Sequence, residues 1–252
     1  PSAFRTTCAQ CMPAPMPLRP ERLILIHGAW AGPWVWDALI PELTARGLRA
    51  DALAMPGDGT HPIAAEDATE VDFHTYLAEA ITAEPGPVAL VGHSGGGTLV
   101  TAGAEAFPGK VSHGVWIAGM LIPDGRSFDD IQHDIAGPGK RFGISNHVVP
   151  SADGLTSWVP PEHAVQFFFH DAPPETAADA ARRLTAQPAA GHRLRTKTSA
   201  RFDALPKLYI LAEQDQSVIP EAQKAMAAST TNISLTAIPT GHVPQLTQPA
   251  RL

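Results

Sequence analysis

The sequence predicts an α/β fold, a mostly parallel sheet with helices on both faces, interrupted by a helical insertion. Three observations carry that reading. Short apolar runs and amphipathic stretches alternate from Glu21 to Gly119. The runs are continuous rather than alternating with polar residues, which marks strands covered on both faces. The alternation stops after Met120 and resumes at Lys207.

The elements follow in order. "RLILIH" (22–27) reads as the first strand, and "PWVWDALIPELTARG" (33–47) as one helix, with Val35, Leu39 and Leu43 on one face and Gly47 as its stop. "LRADALA" reads as a second strand. A Gly/Pro/Asp loop (56–68) leads into a helix near 70–84, where Phe73, Leu77, Ala80 and Ile81 share a face. The strand "VALV" (88–91), a helix of small residues (95–106) and the strand "SHGVWIAG" (112–119) complete the first half. Residues 121–203 hold prolines, aromatics and a helix "PPETAADAARRLTA", with no convincing buried strand. "KLYILAEQD" (207–215), a helix from Pro220, the strand "ISLTAI" (233–238) and "PTGHVPQLTQPARL" close the chain. The expected organisation is a tail over 1–20, a core over 21–120 and 204–252, and a cap over 121–203.

Composition narrows the function. With 252 residues, 44% of them apolar, the chain can bury a sizeable core unaided. A net charge of -7 and the lack of a basic patch argue against nucleic acid. No apolar run reaches the roughly 18 residues of a membrane span, and the N-terminal stretch lacks a signal peptide's apolar core. The only two cysteines, Cys8 and Cys11, form a lone C-x-x-C in Pro-rich surroundings, too few ligands for a structural zinc site. That segment reads as a tail upstream of a start near Met16. A reduced, cytoplasmic setting is the default expectation.

The chemistry concentrates in "LVGHSGGG" (90–97). Gly92-His93-Ser94-Gly95-Gly96 matches G-x-S-x-G between a strand and a helix, the context that motif requires. A serine on so sharp a turn has its hydroxyl lifted clear of the sheet, and side chains two residues away would collide there. Gly92 and Gly96 are therefore steric necessities. The helix beginning at Gly95 aims free N–H groups at the same spot. A phosphate loop would need a lysine after the glycines, and none follows.

A nucleophilic serine needs a base, and the base an orienting acid, in the chain order acid then histidine. Asp215 leaves the strand "LYILA" in the right place; Glu213, two residues away, is the rival acid, and Asp203 a weaker one. His242, in a Thr-Gly-His turn after the last strand, is singled out among eleven histidines. His27 and His93 read as structural residues at strand ends. The second oxyanion donor is expected from "HGAW" (27–30), so that the amides of Ala29 and Gly95 converge on the substrate oxygen.

With these pieces in order, the sequence resembles the α/β-hydrolase superfamily from Arg22 onward. "LILIHGAWAGPWVWDALIPEL", "VALVGHSGGGTLV", "YILAEQDQSVIPEAQ" and "TGHVPQLTQP" resemble more narrowly the plant methyl esterases, the hydroxynitrile lyases and their bacterial esterase relatives. The resemblance implies a serine hydrolase that cleaves a small hydrophobic or aromatic carboxylic ester, or a lactone, through an acyl-serine, with no metal or organic cofactor. In the S-selective plant lyases a threonine follows the first-strand histidine and a lysine follows the catalytic one. Gly28 and Val243 stand there in this chain, which favours hydrolysis over cyanohydrin cleavage, since the cation that would hold cyanide is missing. Some relatives act as ligand-binding receptors with slow turnover, a third reading. The chain ends ten residues after His242, where relatives continue into a closing helix. Trp158 and Phe167 to Phe169 from the cap, with Trp30 and Trp116 from the core, are the expected pocket aromatics, Phe168 foremost among the phenylalanines. The expected partner is a small-molecule ester; whether the chain pairs as a homodimer is left open.

Overall fold

The structure is a computed structural model and describes residues 20–252; the expected tail with Cys8 and Cys11 lies outside them. The sheet is built from β1 (Arg22–Ile26), β2 (Ala50–Ala52), β3 (Val88–His93), β4 (Val111–Ile117), β8 (Lys207–Ala212) and β9 (Ile233–Ile238). Their order is β2-β1-β3-β4-β8-β9, and every neighbouring pair runs parallel. Strands β5 (Val149–Pro150), β6 (Thr156–Trp158) and β7 (Gln187–Pro188) form a separate antiparallel sheet between β4 and β8.

Side-chain alternation explains the apolar runs. Ile24 and Ile26 of β1 face one cluster with Phe73, Leu77 and Ile81 of α2 (Glu70–Ala83) and Leu99 and Val100 of α3 (Gly96–Ala106). Leu25, between them, faces the opposite cluster with Val35, Trp36 and Leu39. Both faces of the sheet are thus covered, and each fully buried Leu or Ile contributes roughly 1.5–3 kcal/mol. Capping boxes start two helices: Thr69 and Asp72 bond reciprocally at α2, and Ser127 and Asp130 at α4 (Phe128–Ala136).

Two expectations are corrected. The stretch 33–47 is a 3₁₀ turn over Pro33–Trp36 followed by α1 (Leu39–Ala45). Starting α1 at Leu39 puts Pro41 in the first turn, where its missing N–H costs nothing; a helix begun at Pro33 would bury that proline in its interior. The segment between β4 and β8 is mostly helical, as expected, but it also holds strands that the sequence did not reveal. It carries α4, α5 (Pro161–Phe167), α6 (Pro174–Arg182), α7 (Ala189–Arg193) and α8 (Ala200–Ala204) together with the three-stranded sheet. Strands of two or three residues are too short to leave a period in sequence. After β8 come α9 (Pro220–Ala228), β9 and α10 (Pro244–Thr247).

The chain runs from β1 outward to β2 and then returns to β3 on the other side of β1. The carboxyl ends of β1 and β3 therefore diverge into loops that leave a crevice, where parallel sheets bind ligands. The described residues contain no helix long and apolar enough to cross a membrane.

Candidate active site

Ser94 follows β3 at this crevice with φ 49°, a left-handed conformation rare for a residue bearing a Cβ. Its backbone is clamped: its N–H donates to Ile117 O at 3.2 Å, and its carbonyl accepts from Gly97 N at 3.0 Å and Met120 N at 2.8 Å. The glycines around it are demanded by close approach. A Cβ at Gly92 would lie 2.7 Å from Gly96 O, one at Gly96 would lie 2.6 Å from the carbonyl oxygens of Ile26 and His27, and one at Gly28 would lie 2.8 Å from the Ser94 Cβ.

Ala29 and Gly95 meet across the crevice, where a Cβ on Gly95 would sit 3.6 Å from the Ala29 nitrogen. Among the described residues neither N–H donates to a protein acceptor. Two free, adjacent donors beside a serine hydroxyl can receive a developing oxyanion.

His242 lies in the turn between β9 and α10, with Pro244 at the first helical position. Its Nδ1 donates to Asp215 Oδ2 at 2.7 Å, both side chains being essentially out of solvent. In a neutral ring that bond leaves Nε2 as the acceptor. Asp215 is saturated: Oδ1 accepts from Ser217 N at 2.7 Å and Val218 N at 3.0 Å, and Oδ2 also accepts from Gln223 Nε2 at 3.1 Å. Glu213 is exposed, and its backbone N–H is taken by Ile238 O. The pair that meets is Asp215 with His242.

His93 joins the serine side to the histidine side. Its Nε2–H donates to the His242 carbonyl at 2.8 Å, and the two rings lie 4.7 Å apart. Burial, reinforced by the charge His242 can carry, pushes the His93 pKa well down, so this ring is neutral. No hydrogen bond joins Ser94 Oγ to His242. Asp203 takes no part: it lies in α8, and its carboxylate accepts from the Thr231 hydroxyl just before β9, at the opposite end of the strands.

A cavity of about 370 Å³ opens over Ser94 and the two free amides. Trp30 and Phe168 line it, with ring centroids 6.1 Å apart. Trp116 does not. It is fully buried beneath the sheet's other layer, donating Nε1–H to Gly97 O at 2.9 Å and packing edge-on to Phe202. Nor does Trp158, which is 47% exposed. Successive strand residues point to opposite faces, so β6 turns Ser157 into the cavity and Trp158 out of it. Phe169 is core and Phe167 lies against His147.

Three features escaped the sequence reading. Trp30, at φ 61°, is stapled to the insertion: its N–H donates to Gln187 Oε1 at 3.0 Å, its carbonyl accepts from Thr185 N at 2.8 Å, and its indole N–H donates to Ser157 Oγ at 3.2 Å. Ser157 in turn meets His192 Nε2 at 3.3 Å, and burial holds the His192 pKa down. His27 Nε2 lies 3.3 Å from Asp58 Oδ2 on the cavity floor. Burial pushes the Asp58 carboxyl up, but His27 and the amides of Thr60 and His61 outweigh it and leave it below its usual range. The only sequence signal for Asp58 was its place in the turn Gly57-Asp58-Gly59, where both glycines adopt φ 85°. Phe168 stacks on His242 with centroids 5.3 Å apart and planes at 27°.

The sequence has relatives among known proteins. Esterase PIR7B of Oryza sativa subsp. japonica is 26% identical over 82% of this chain and 83% of its own length. Methylesterase 17 of Arabidopsis thaliana is 24% identical over 82% and 80%. Among solved structures, a pyrethroid hydrolase from Sphingobium faniae JZ-2 superposes with a TM-score of 0.77 at 24% identity, covering 92% of this chain and 94% of its own. Polyneuridine aldehyde esterase superposes with 0.77 at 22%, covering 92% and 96%. The profile described as the alpha/beta hydrolase family matches residues 23–252, and with this topology in place the chain belongs to that family.

Proposed function

We propose that the protein is a serine hydrolase that cleaves a small hydrophobic or aromatic carboxylic ester, or a lactone, through an acyl-serine. The observation that carries this reading is the position of Ser94: a strained elbow at the cavity floor, one residue from His93, against which the Asp215-bonded His242 packs. The esterase names of the rice and Arabidopsis relatives support it.

In this mechanism Ser94 Oγ attacks the ester carbonyl carbon while His242 Nε2 takes the hydroxyl proton. Asp215 holds the ring's tautomer and stabilises its cationic form. The Ala29 and Gly95 amides receive the oxyanion. Collapse of the tetrahedral species expels the alcohol, which takes the proton from His242. Water, deprotonated by His242, then attacks the acyl carbon, and the acid leaves as His242 returns the proton to Ser94 Oγ. Catalytic hydrogen bonds often tighten only with substrate, and the Ser94–His242 contact is of that kind. Gly28 packed against the Ser94 Cβ, and the buried apolar Val243 beside His242, favour hydrolysis over cyanohydrin cleavage.

The test is a p-nitrophenyl ester series, acetyl to octanoyl, on the parent and Ser94→Ala. The variant is expected to keep the parent's fold and to lose turnover by about 10³-fold or more. Activity within tenfold of the parent would remove Ser94 as nucleophile.

A further inference from the structure

The loop that carries His242 is held from outside the core sheet. Asp171 lies in the corner between α5 and α6, and its Oδ2 accepts three hydrogen bonds. They come from Gly241 N at 2.8 Å, the Thr247 hydroxyl at 3.0 Å and Gln248 Nε2 at 3.2 Å. The donors bracket His242: one precedes it, and two end the helix after it. Asp171 Oδ1 is buried without a partner among the described residues. Crowding every donor onto one oxygen and burying the other without a protein partner costs desolvation, which a fully exposed carboxylate would avoid.

The fit is close. A Cβ on Gly241 would lie 2.6 Å from Asp171 Oδ1 and 2.9 Å from His170 Cε1. A side chain at this position of the Thr-Gly-His turn would push the Asp171 carboxylate off its donors. From the same corner Phe168 covers the His242 ring. Asp215 orients the imidazole about one nitrogen only, so where Nε2 points also depends on where the loop backbone sits. His93 holds the carbonyl of His242, and Asp171 holds the amide just before it.

Resting on the hydrolase reading above, we propose that Asp171 is a positioning residue for His242, pinning its loop so that Nε2 meets Ser94 Oγ and making the insertion part of the proton-transfer geometry. Asp171 itself makes no hydrogen bond to Ser94, Asp215 or the His242 side chain.

The experiment compares the parent, Asp171→Ala and Asp171→Asn by kcat and KM on the best p-nitrophenyl ester, and by the rate at which a fluorophosphonate labels Ser94. Melting temperature and the low-field proton resonance of the Asp215–His242 hydrogen bond are read alongside. Asp171→Ala is expected to lower kcat and the labelling rate by about 10²-fold, the cost of roughly 1 Å of misplacement. KM should move less than about threefold, because substrate contacts are untouched. The low-field resonance should shift or broaden. Asp171→Asn, which keeps an acceptor oxygen, should recover at least about tenfold of the loss. A folded Asp171→Ala protein labelled within about twofold of the parent would overturn the proposal. So would equal impairment of the two variants that tracks only a lowered melting temperature. If Asp171→Ala does not fold, the double variant Thr247→Val/Gln248→Ala must lower kcat, and an unchanged kcat overturns the proposal. If the parent itself is never labelled, the hydrolase reading has failed; the resonance still decides the positioning role, which is lost if Asp171→Ala leaves it unchanged.

Discussion

Ser94 and His242 are linked through His93 but are held in place by different means. The serine is placed by the path of the backbone: β3 ends, the chain turns at φ 49°, and α3 starts with Gly96 packed on the carbonyls of β1. The histidine is placed by side chains reaching in from three elements: Asp215 after β8, His93 at the end of β3, and Asp171 from the insertion. A site held by chain path fails when the path is blocked. A site held by contacts loses rate in steps.

The largest effect on stability is expected where the path leaves no slack. In Gly96→Ala the new Cβ would meet two strand carbonyl oxygens at 2.6 Å, and backbone atoms cannot rotate away as a side-chain tip can. Overpacking of this kind costs about 1–3 kcal/mol or more, so the melting temperature should fall by roughly 5–10 °C together with activity. A Gly96→Ala protein that melts with the parent would show that α3 can slide along the sheet, and the contrast between the two sides would weaken.

On the other side, Asp215→Asn should leave the fold and lower turnover by about 10⁴-fold, because a neutral amide favours the wrong imidazole tautomer. Glu213→Gln, at an exposed side chain, should stay within about twofold of the parent. Turnover measured on both variants at one pH decides the matter. The reverse ranking would move the acid to Glu213 and require the loop after β8 to rearrange.

What could be read from the sequence follows the same division. The sheet was legible because burial on both faces writes an uninterrupted apolar run, as in Leu23 to Ile26. The elbow was legible because steric necessity writes glycine at fixed offsets from Ser94. Asp215 and Glu213 sit two residues apart after one strand, and only the turn of the loop, capped by the amides of Ser217 and Val218, separates their fates. Contacts between distant segments leave no local trace: Asp171 reaches Gly241 across 70 residues of chain, and no period or motif announces it. Aromatic side chains misled for a related reason. Trp116 and Trp158 are as apolar as Trp30, and only strand register and layer say which of the three faces the cavity.

The smallest effect concerns the residue that belongs to both sides. His93 is buried at the end of β3, donates to the His242 carbonyl and has its pKa pushed well below the ordinary 6.5 by burial. The unfolded chain therefore binds a proton at this position more readily than the folded one. Linkage makes stability rise with pH wherever the unfolded state holds more protons. The contribution of His93 is complete above about pH 6.5 and is progressively lost as pH falls below it. His93→Gln, which keeps an N–H for the His242 carbonyl but cannot titrate, should be less stable than the parent at pH 7.5 and should lose less on acidification. Urea midpoints at pH 7.5 and pH 5.5 measure the difference. Equal losses in the two proteins would mean that His93 is reached by solvent or proton before global unfolding, and that the bridge between Ser94 and His242 opens on its own.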